Sequence, residues 1–152
     1  MDEQMLTLEK FEEASEVVKK VTLETKLVYS DYLSVQTGNR VYLKPENMQF
    51  TGAYKLRGAY YKMSTLTQEE RDRGLITASA GNHAQGVAYA ANCFGARATI
   101  VMPTTTPLIK VNRTKGVDEG IPVFLCQFIG LRAGLVIHIS PEYHFRSIPF
   151  GT

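Results

Sequence analysis

The chain has 152 residues, of which 44% are apolar and 21% charged, and its formal net charge is +2. This length suits one domain with a substantial core. Twelve glycines without a triplet period and only six prolines exclude collagen and proline-rich disorder. The charges form no basic stripe, so nucleic acid is not an expected partner. Cys93 and Cys126 make no disulfide scaffold and lack metal-ligand spacing, so no metal site is predicted.

Location is predicted from the two ends of the chain. Residues 1–5 are acidic and polar, unlike a secretory signal or an Arg-rich transit peptide, which favours a reducing cytoplasm. The stretch 121–139 is mostly apolar and just long enough for a membrane span. However, Arg132 near its middle would cost about 2.5–3.5 kcal/mol on insertion. We therefore favour one or two buried strands there over a membrane span.

The first 116 residues alternate helix-like and strand-like segments. A surface helix is predicted first, because apolar residues recur at helical spacing at Leu8, Phe11, Ala14 and Val18. The later elements are a strand over 41–44, a helix over 55–66, a strand over 75–78, a helix over 82–94, a strand over 97–102 and a helix reaching 115. This order predicts an α/β fold in which a parallel sheet is connected by helical crossovers.

Three residues mark helix ends in this interpretation. Gly95 follows the helix over 82–94 and is typical of a C-cap. Thr106 is expected to cap the last helix, with Pro107 in its first turn.

The first loop with chemical potential runs over residues 44–59 and places Lys55 at the start of a helix. A lysine is a nucleophile only when deprotonated, and the dipole at a helix N-terminus disfavours the charged form. Burial would lower the pKa further, as capture of a carbonyl as a Schiff base requires. The alternative is an ordinary solvated lysine, and only the surrounding pattern favours chemistry.

The second loop runs over residues 77–86. Small residues at a strand-to-helix turn let main-chain N–H groups converge on an anion, and Ser79 and Asn82 add side-chain donors. This predicts a carboxylate or phosphate cradle; a tight turn with Asn82 as helix cap is the alternative. Both loops follow strands, so we expect them at one carboxyl edge of a parallel sheet. A lysine beside an anion cradle favours carbonyl chemistry on an amino or keto acid.

Together the loops resemble the serine/threonine dehydratases, a family of pyridoxal-phosphate enzymes that includes threonine dehydratase. Residues 44–59 are similar to the cofactor-attachment signature, and residues 79–86 to the asparagine loop that follows it. Residues 102–103 and 107–115 are also similar to threonine dehydratase. The resemblance covers about residues 5–115, the N-terminal portion only. It implies an incomplete tryptophan-synthase-β-like α/β fold, with the cofactor pyridoxal 5'-phosphate between two domains.

The resemblance also implies a domain organisation. Residues 1–50 would belong to the larger domain, residues 51–116 would form most of the smaller α/β domain, and residues 117–152 are a divergent tail. The tail has no lysine, three of the six prolines and 5 charges in 36 residues. An abrupt change of this kind after Gly116 is what a shifted or truncated reading frame produces, and sequencing the locus across codon 116 tests that hypothesis.

Residue roles follow from the resemblance alone. Lys55 would hold the cofactor as a Schiff base and later move protons, Tyr54 would lie beside the cofactor, and Asn82 would hydrogen-bond the 3′-oxygen of its ring. The substrate carboxylate would be held by Ser79, Gly81, Asn82 and His83. Candidate contacts with an activating nucleotide effector, matching the catabolic branch, are Thr51, Gly52 and Gln85.

The implied reaction is loss of water from L-threonine or L-serine, followed by release of ammonia and 2-oxobutanoate or pyruvate. Isoleucine biosynthesis and threonine catabolism both remain open as pathways, and the family is homo-oligomeric. The sequence lacks the family's Gly-rich phosphate loop and the residue facing the pyridine nitrogen, so we expect weak cofactor binding and little turnover. The alternative is a non-catalytic remnant or small interaction protein that retains an anion-binding α/β module.

Overall fold

The computed structural model describes residues 6–116 and two further strands, over 123–126 and 136–138. The helices are α1 Leu8–Val18, α2 Asp31–Thr37, α3 Lys55–Ser64, α4 Gln68–Arg73, α5 Asn82–Cys93 and α6 Leu108–Lys115. The strands are β1 Val28–Tyr29, β2 Tyr42–Leu43, β3 Leu75–Ala78, β4 Ala98–Pro103, β5 Val123–Cys126 and β6 Val136–His138, and a 3₁₀ turn spans Glu46–Met48.

The main sheet has the strand order β5-β4-β3-β6. Strands β3 and β4 are parallel, with Leu75 opposite Ala98 and Ala78 opposite Val101, and α5 is the crossover between them. This confirms the predicted strand, helix, strand unit. Strand β5 joins β4 in parallel, whereas β6 runs antiparallel to β3.

Both of these outer strands fall in the apolar stretch 121–139, which confirms strands there; the burial of their side chains lies outside the described residues. Within the part of the chain that the structure describes, no helix has the length and apolar character needed to cross a membrane.

The core lies between the sheet and the helices that cover it, chiefly α3 and α5. Its buried members are Ala59, Met63, Leu75, Ala84, Val87, Ala88, Ala90, Ala91, Ala98, Ile100, Met102 and Val111. Helix α5 contributes mostly alanine to this cluster, and these short side chains let the helix approach its neighbours closely. The core therefore fixes α5, and with it the loop at its N-terminus.

The N-terminal part folds differently from the prediction. Strand β2 pairs antiparallel with β1 in a separate two-stranded sheet, so it is not part of the parallel sheet. The expectation that both loops follow strands of one sheet is therefore wrong. Helix α1 forms as predicted, but Leu8 and Phe11 are 69% and 60% exposed, and Val18 is the buried residue of that helix.

Three helix ends test the capping residues that the sequence predicts. Phe94 is the C-cap of α5, and Gly95 follows it with φ +60°, so the glycine ends the helix as predicted but one position beyond the cap. The cap predicted at Thr106 is wrong, because Pro107 precedes α6 and no side chain caps it. Asn82 is the first residue of α5 and Gly81 occupies the cap position, so the alternative role of Asn82 as a cap is also wrong.

Candidate functional site

Lys55 is the first residue of α3 and its side chain is exposed. Its amine lies 5.1 Å from the centre of the Tyr54 ring, over which a cation is attracted by the ring electrons. Tyr54 is itself 58% exposed, so the pair forms an open surface and the expected burial of the lysine is not observed. The amine is accessible to a carbonyl compound from solvent.

The loop between β3 and α5 leads into the N-terminus of a helix, where the sequence predicts an anion cradle. The Ser79 N–H donates to the Val101 carbonyl at 3.0 Å, which ties the loop to β4. The Gly81 N–H donates to the Ser79 hydroxyl oxygen at 3.3 Å, so this serine supports the turn from within. The N–H groups in the first turn of α5, starting with Asn82 and His83, have no acceptor within the helix. They and the helix dipole favour an anion at this end.

Helix packing brings the two loops together. Gly86 lies in α5 where a Cβ atom would be 3.1 Å from the Leu56 nitrogen and from the Lys55 carbonyl group. The main chain of Lys55 therefore lies directly against α5, one turn from its N-terminus. This contact lies between α3 and α5 and not at the shared sheet edge where the sequence predicts the two loops.

His83 is partly buried. Its Nε2 is buried without a hydrogen-bond partner in the described part of the chain. The ring borders a cavity of about 440 Å³ between α3 and α5, whose lining includes Ala59, Met63 and Val87. Burial, and secondly the charge of Lys55, lower the pKa of His83 below its ordinary value. The imidazole is therefore neutral at pH 7, and the main chain of His83 is the part that can face a ligand.

The three candidate nucleotide contacts differ in exposure. The side chains of Thr51 and Gln85 are only 6% and 7% exposed, whereas Gly52 is at the surface with φ +68°. In this conformation the two buried side chains pack the loop and α5. The nucleotide effector stays a prediction.

Sequence reasoning missed an ion pair inside the first loop. Arg57 donates to Glu46 through Nε at 2.7 Å and through Nη2 at 2.9 Å. The Arg57 hydrogen bond is the main cause that lowers the pKa of Glu46 to about 2. The sequence offered one signal for this pair, which is the presence of two opposite charges, Glu46 and Arg57, in the same motif. Their contact could not be read from spacing, because a loop and not a helix separates them.

The cofactor-binding chemistry expected here is compatible with these residues. An exposed amine at Lys55 suits attachment of an aldehyde, and the exposed Asn82 amide lies at the start of the neighbouring helix. The first turn of α5 offers N–H donors for a carboxylate. The described residues thus fit the carbonyl end of pyridoxal phosphate and the acid group of an amino-acid substrate.

The fold and the lysine-bearing site define a class of enzyme. A family model described as "Pyridoxal-phosphate dependent enzyme" matches residues 18–121, and the chain belongs to this family. The more particular similarity is to threonine ammonia-lyases. The chain is 54% identical over 117 residues to the L-threonine ammonia-lyase of Thermotoga maritima, which covers 77% of this chain and 29% of that protein.

Relatives from both metabolic branches match. The biosynthetic L-threonine dehydratase of Lactococcus lactis is 47% identical, over 76% of this chain and 28% of that protein. The catabolic L-threonine dehydratase of Staphylococcus aureus N315 is 51% identical, over 74% of this chain and 33% of that protein. The chain therefore spans about a third or less of the length of these relatives, and both branches remain open.

Solved structures confirm the predicted fold. The processed threonine deaminase isoform 2 of Solanum lycopersicum has a TM-score of 0.68 at 41% identity, with 80% of this chain and 36% of that chain covered. The serine racemase of Dictyostelium discoideum has a TM-score of 0.74 at 32% identity, with 80% and 39% covered. The architecture is the tryptophan-synthase-β-like fold of pyridoxal-phosphate enzymes, present here in part.

Proposed function

We propose that this chain carries the lysine-bearing part of a lyase that dehydrates and deaminates L-threonine or L-serine. The products would be 2-oxobutanoate or pyruvate, together with ammonia. The observation that supports the proposal is the contact of the Lys55 main chain with Gly86 of α5, one turn from the N-terminus of that helix, together with the exposure of the Lys55 side chain. The threonine ammonia-lyase relatives support the choice of substrate.

Each group of the chain would have a distinct task. The Lys55 amine would attach the cofactor and, once released, take the proton from the substrate Cα and pass a proton to the β-hydroxyl, which would leave as water. Asn82 would hydrogen-bond the oxygen on the cofactor ring, and the loop 79–83 would orient the substrate carboxylate. Pyridoxal phosphate, when bound, supplies the electron sink for the bonds broken at Cα.

The neutral His83 ring suits this arrangement. Burial lowers its pKa, which favours the uncharged ring. Its ring faces the apolar cavity, so we assign it no proton transfer. Only its main-chain N–H would act on substrate.

We further propose that the chain by itself binds cofactor at Lys55 with little turnover. Its sequence contains no Gly-rich loop like the family's phosphate site, so the phosphate would lack its main partner. Residues 6–50 also expose apolar side chains such as Tyr32 and Val35, at 73% and 77%. This exposure is the observation that favours the alternative, a non-catalytic interaction role.

Borohydride trapping tests the attachment site. The chain is incubated with pyridoxal phosphate, reduced, digested and mapped, with Lys62 as an internal control because it is exposed on the same helix. We expect label concentrated at Lys55 and lost in K55A. Equal label on Lys55 and Lys62 would contradict the proposal.

A product assay tests the reaction separately. L-Threonine is supplied with cofactor and 2-oxobutanoate is measured, with K55A as the blank. Slow, Lys55-dependent product formation would support both parts of the proposal. Rapid turnover would overturn the expectation of low activity, and its complete absence alongside specific labelling would favour the non-catalytic role.

A further inference from the structure

Arg57 and Glu46 form an ion pair through two hydrogen bonds, and this pair joins the two ends of the segment 46–57 that carries Lys55. Arg57 binds both carboxylate oxygens of Glu46, at 2.7 Å and 2.9 Å. The Glu46 side chain is 18% exposed and that of Arg57 34%, so the contact is largely shielded. A bidentate contact fixes orientation as well as distance. Lys55 lies inside this segment, two residues before Arg57.

Glu46 is in turn anchored to the preceding chain. Its Oε1 accepts hydrogen bonds from the Thr25 hydroxyl at 3.3 Å and the Gln49 amide at 3.2 Å. The Gln49 side chain also bonds the Leu23 main chain twice: it accepts from the N–H and donates to the carbonyl, each at 2.9 Å. The carboxylate therefore joins a fixed segment to the first turn of α3.

Arg57 is in an unfavourable place for a cation. It lies in the first turn of α3, where the helix dipole disfavours positive charge, and that turn has no acidic residue. Glu46 offsets this charge from outside the helix. Helix stability therefore does not account for an arginine at position 57, whereas its contact with Glu46 does.

Lys55 is consequently held from two directions. Gly86 of α5 fixes the position of its main chain from one side. The Glu46–Arg57 contact fixes the rotation of the same helical turn from the other. The Lys55 amine lies over Tyr54, 5.1 Å from the centre of its ring.

We propose that Glu46 is a positioning residue for Lys55, acting through Arg57 to direct the amine toward the carbonyl it would capture. The inference rests on the proposed function, because it concerns the lysine that would bind the cofactor. It adds a residue that touches neither cofactor nor substrate.

The test compares trapping sites in three variants. The ratio of borohydride-trapped label at Lys55 to that at Lys62 is measured in the wild type, E46Q and R57K. We expect the ratio to fall about three- to tenfold in E46Q, the range for losing an ordinary hydrogen bond or a solvent-screened ion pair. In R57K, which keeps the positive charge but loses the two-point contact, the label ratio should fall by a smaller factor. If only the charge at position 57 mattered, the label ratio in R57K would equal that of the wild type.

The matched control is E69Q. Glu69 makes an ion pair with Arg73 at 3.5 Å on α4 and is 85% exposed, so it undergoes the same chemical change away from the site. Its label ratio should equal that of the wild type. An unchanged ratio in E46Q, or an equal fall in E69Q, would overturn the proposal.

Hydrogen exchange without cofactor separates this proposal from the proposed function. The Gly52 N–H donates to the Gln49 carbonyl at 2.7 Å and the Arg57 N–H to the Tyr54 carbonyl at 3.0 Å. We expect both amides to exchange faster in E46Q while those of β4 do not. If the wild type shows no preference for Lys55, the proposed function fails, yet exchange still decides whether Glu46 orders the segment. Unchanged exchange in E46Q, or in R57K if E46Q does not fold, would overturn the inference.

Discussion

Residues 6–50 and 51–116 differ in how they use their apolar side chains. The buried hydrophobic cluster of the described residues lies entirely between Ala59 and Val111. The large apolar side chains exposed in the first region are Leu6, Leu8, Phe11, Leu23, Leu27, Val28, Tyr29, Tyr32, Val35, Tyr42, Leu43, Met48 and Phe50. Among the described residues of the second region, the corresponding set is Tyr54, Leu108 and Ile109.

The difference shows that an apolar stripe is not sufficient for a core. Helix α1 has the expected spacing, yet Leu8 and Phe11 face solvent because no element of the described part of the chain packs over them. Helix α5 is buried because β4 and α3 both pack against it. Large exposed apolar areas of the first kind mark surfaces that contact other polypeptide. The two regions should therefore respond differently to the same kind of substitution.

The largest difference is expected for truncation of apolar side chains. Ile100 is fully buried in β4, which pairs with strands on both sides, so I100A should lower the free energy of unfolding by about 2–5 kcal/mol. Val35 is 77% exposed, and V35A should stay within about 0.5 kcal/mol. Urea unfolding followed by circular dichroism measures both. Equal losses in the two variants would mean that the first region has a core of its own.

A smaller difference is expected between two glycines on facing helices. In G86A the new methyl group would meet the main chain of Lys55 and Leu56 at 3.1 Å, so α3 and α5 must separate. We expect a loss of about 1–3 kcal/mol, as overpacking usually costs. Because Lys55 moves with α3, cofactor trapping at Lys55 should fall as well.

The matched control for that substitution is G58A. Gly58 lies in α3 and a Cβ atom there would meet nothing within 4 Å. Removing a glycine from a helix interior should raise the free energy of unfolding by about 0.5–1 kcal/mol. The two Gly-to-Ala changes should thus have opposite signs in the same denaturation experiment. A stabilising G86A would show that the helix contact is looser than the geometry indicates.

Sequence reasoning worked where local signals agreed with one another. Strand β3 has the predicted bounds and α5 differs by one residue, because an apolar run, a turn and the C-cap Gly95 all point to the same boundaries. Helix α4 was missed although Thr67 and Glu70 form a capping box that the sequence displays. These elements depend on neighbours in sequence, so the pattern contains the information.

Sequence reasoning failed where the outcome depends on distant partners. The pairing of β2 with β1 set the arrangement of the first loop, and two-residue strands carry no readable period. Motifs predict roles for Lys55 and the loop 79–83, and those roles stay predictions. The contact of Lys55 with Gly86 and the Glu46–Arg57 pair were not predicted, since both are tertiary contacts between residues with no fixed spacing.

The smallest expected effect is a loss of stability at low pH where residues 6–50 contact residues 51–116. Arg57 holds the pKa of Glu46 at about 2, below its ordinary value of 4.5. The stabilisation from this pair is therefore complete above pH 4.5 and is lost as the pH falls toward 2, while the unfolded chain binds a proton first. Because Arg57 is one-third exposed and screened by solvent, we expect about 1–2 kcal/mol.

This loss should appear first at the junction of the regions. The Leu23 N–H, held by Gln49 beside Glu46, should lose protection against hydrogen exchange between pH 4.5 and 2.5, whereas amides of β4 keep theirs. E46Q should show low Leu23 protection at every pH in that range. Because the pKa of His83 is also lowered, a separate loss of stability begins as the pH falls below about 6.5, and that step should persist in E46Q. Simultaneous loss of protection at Leu23 and in β4 would show that the two regions unfold as one cooperative unit.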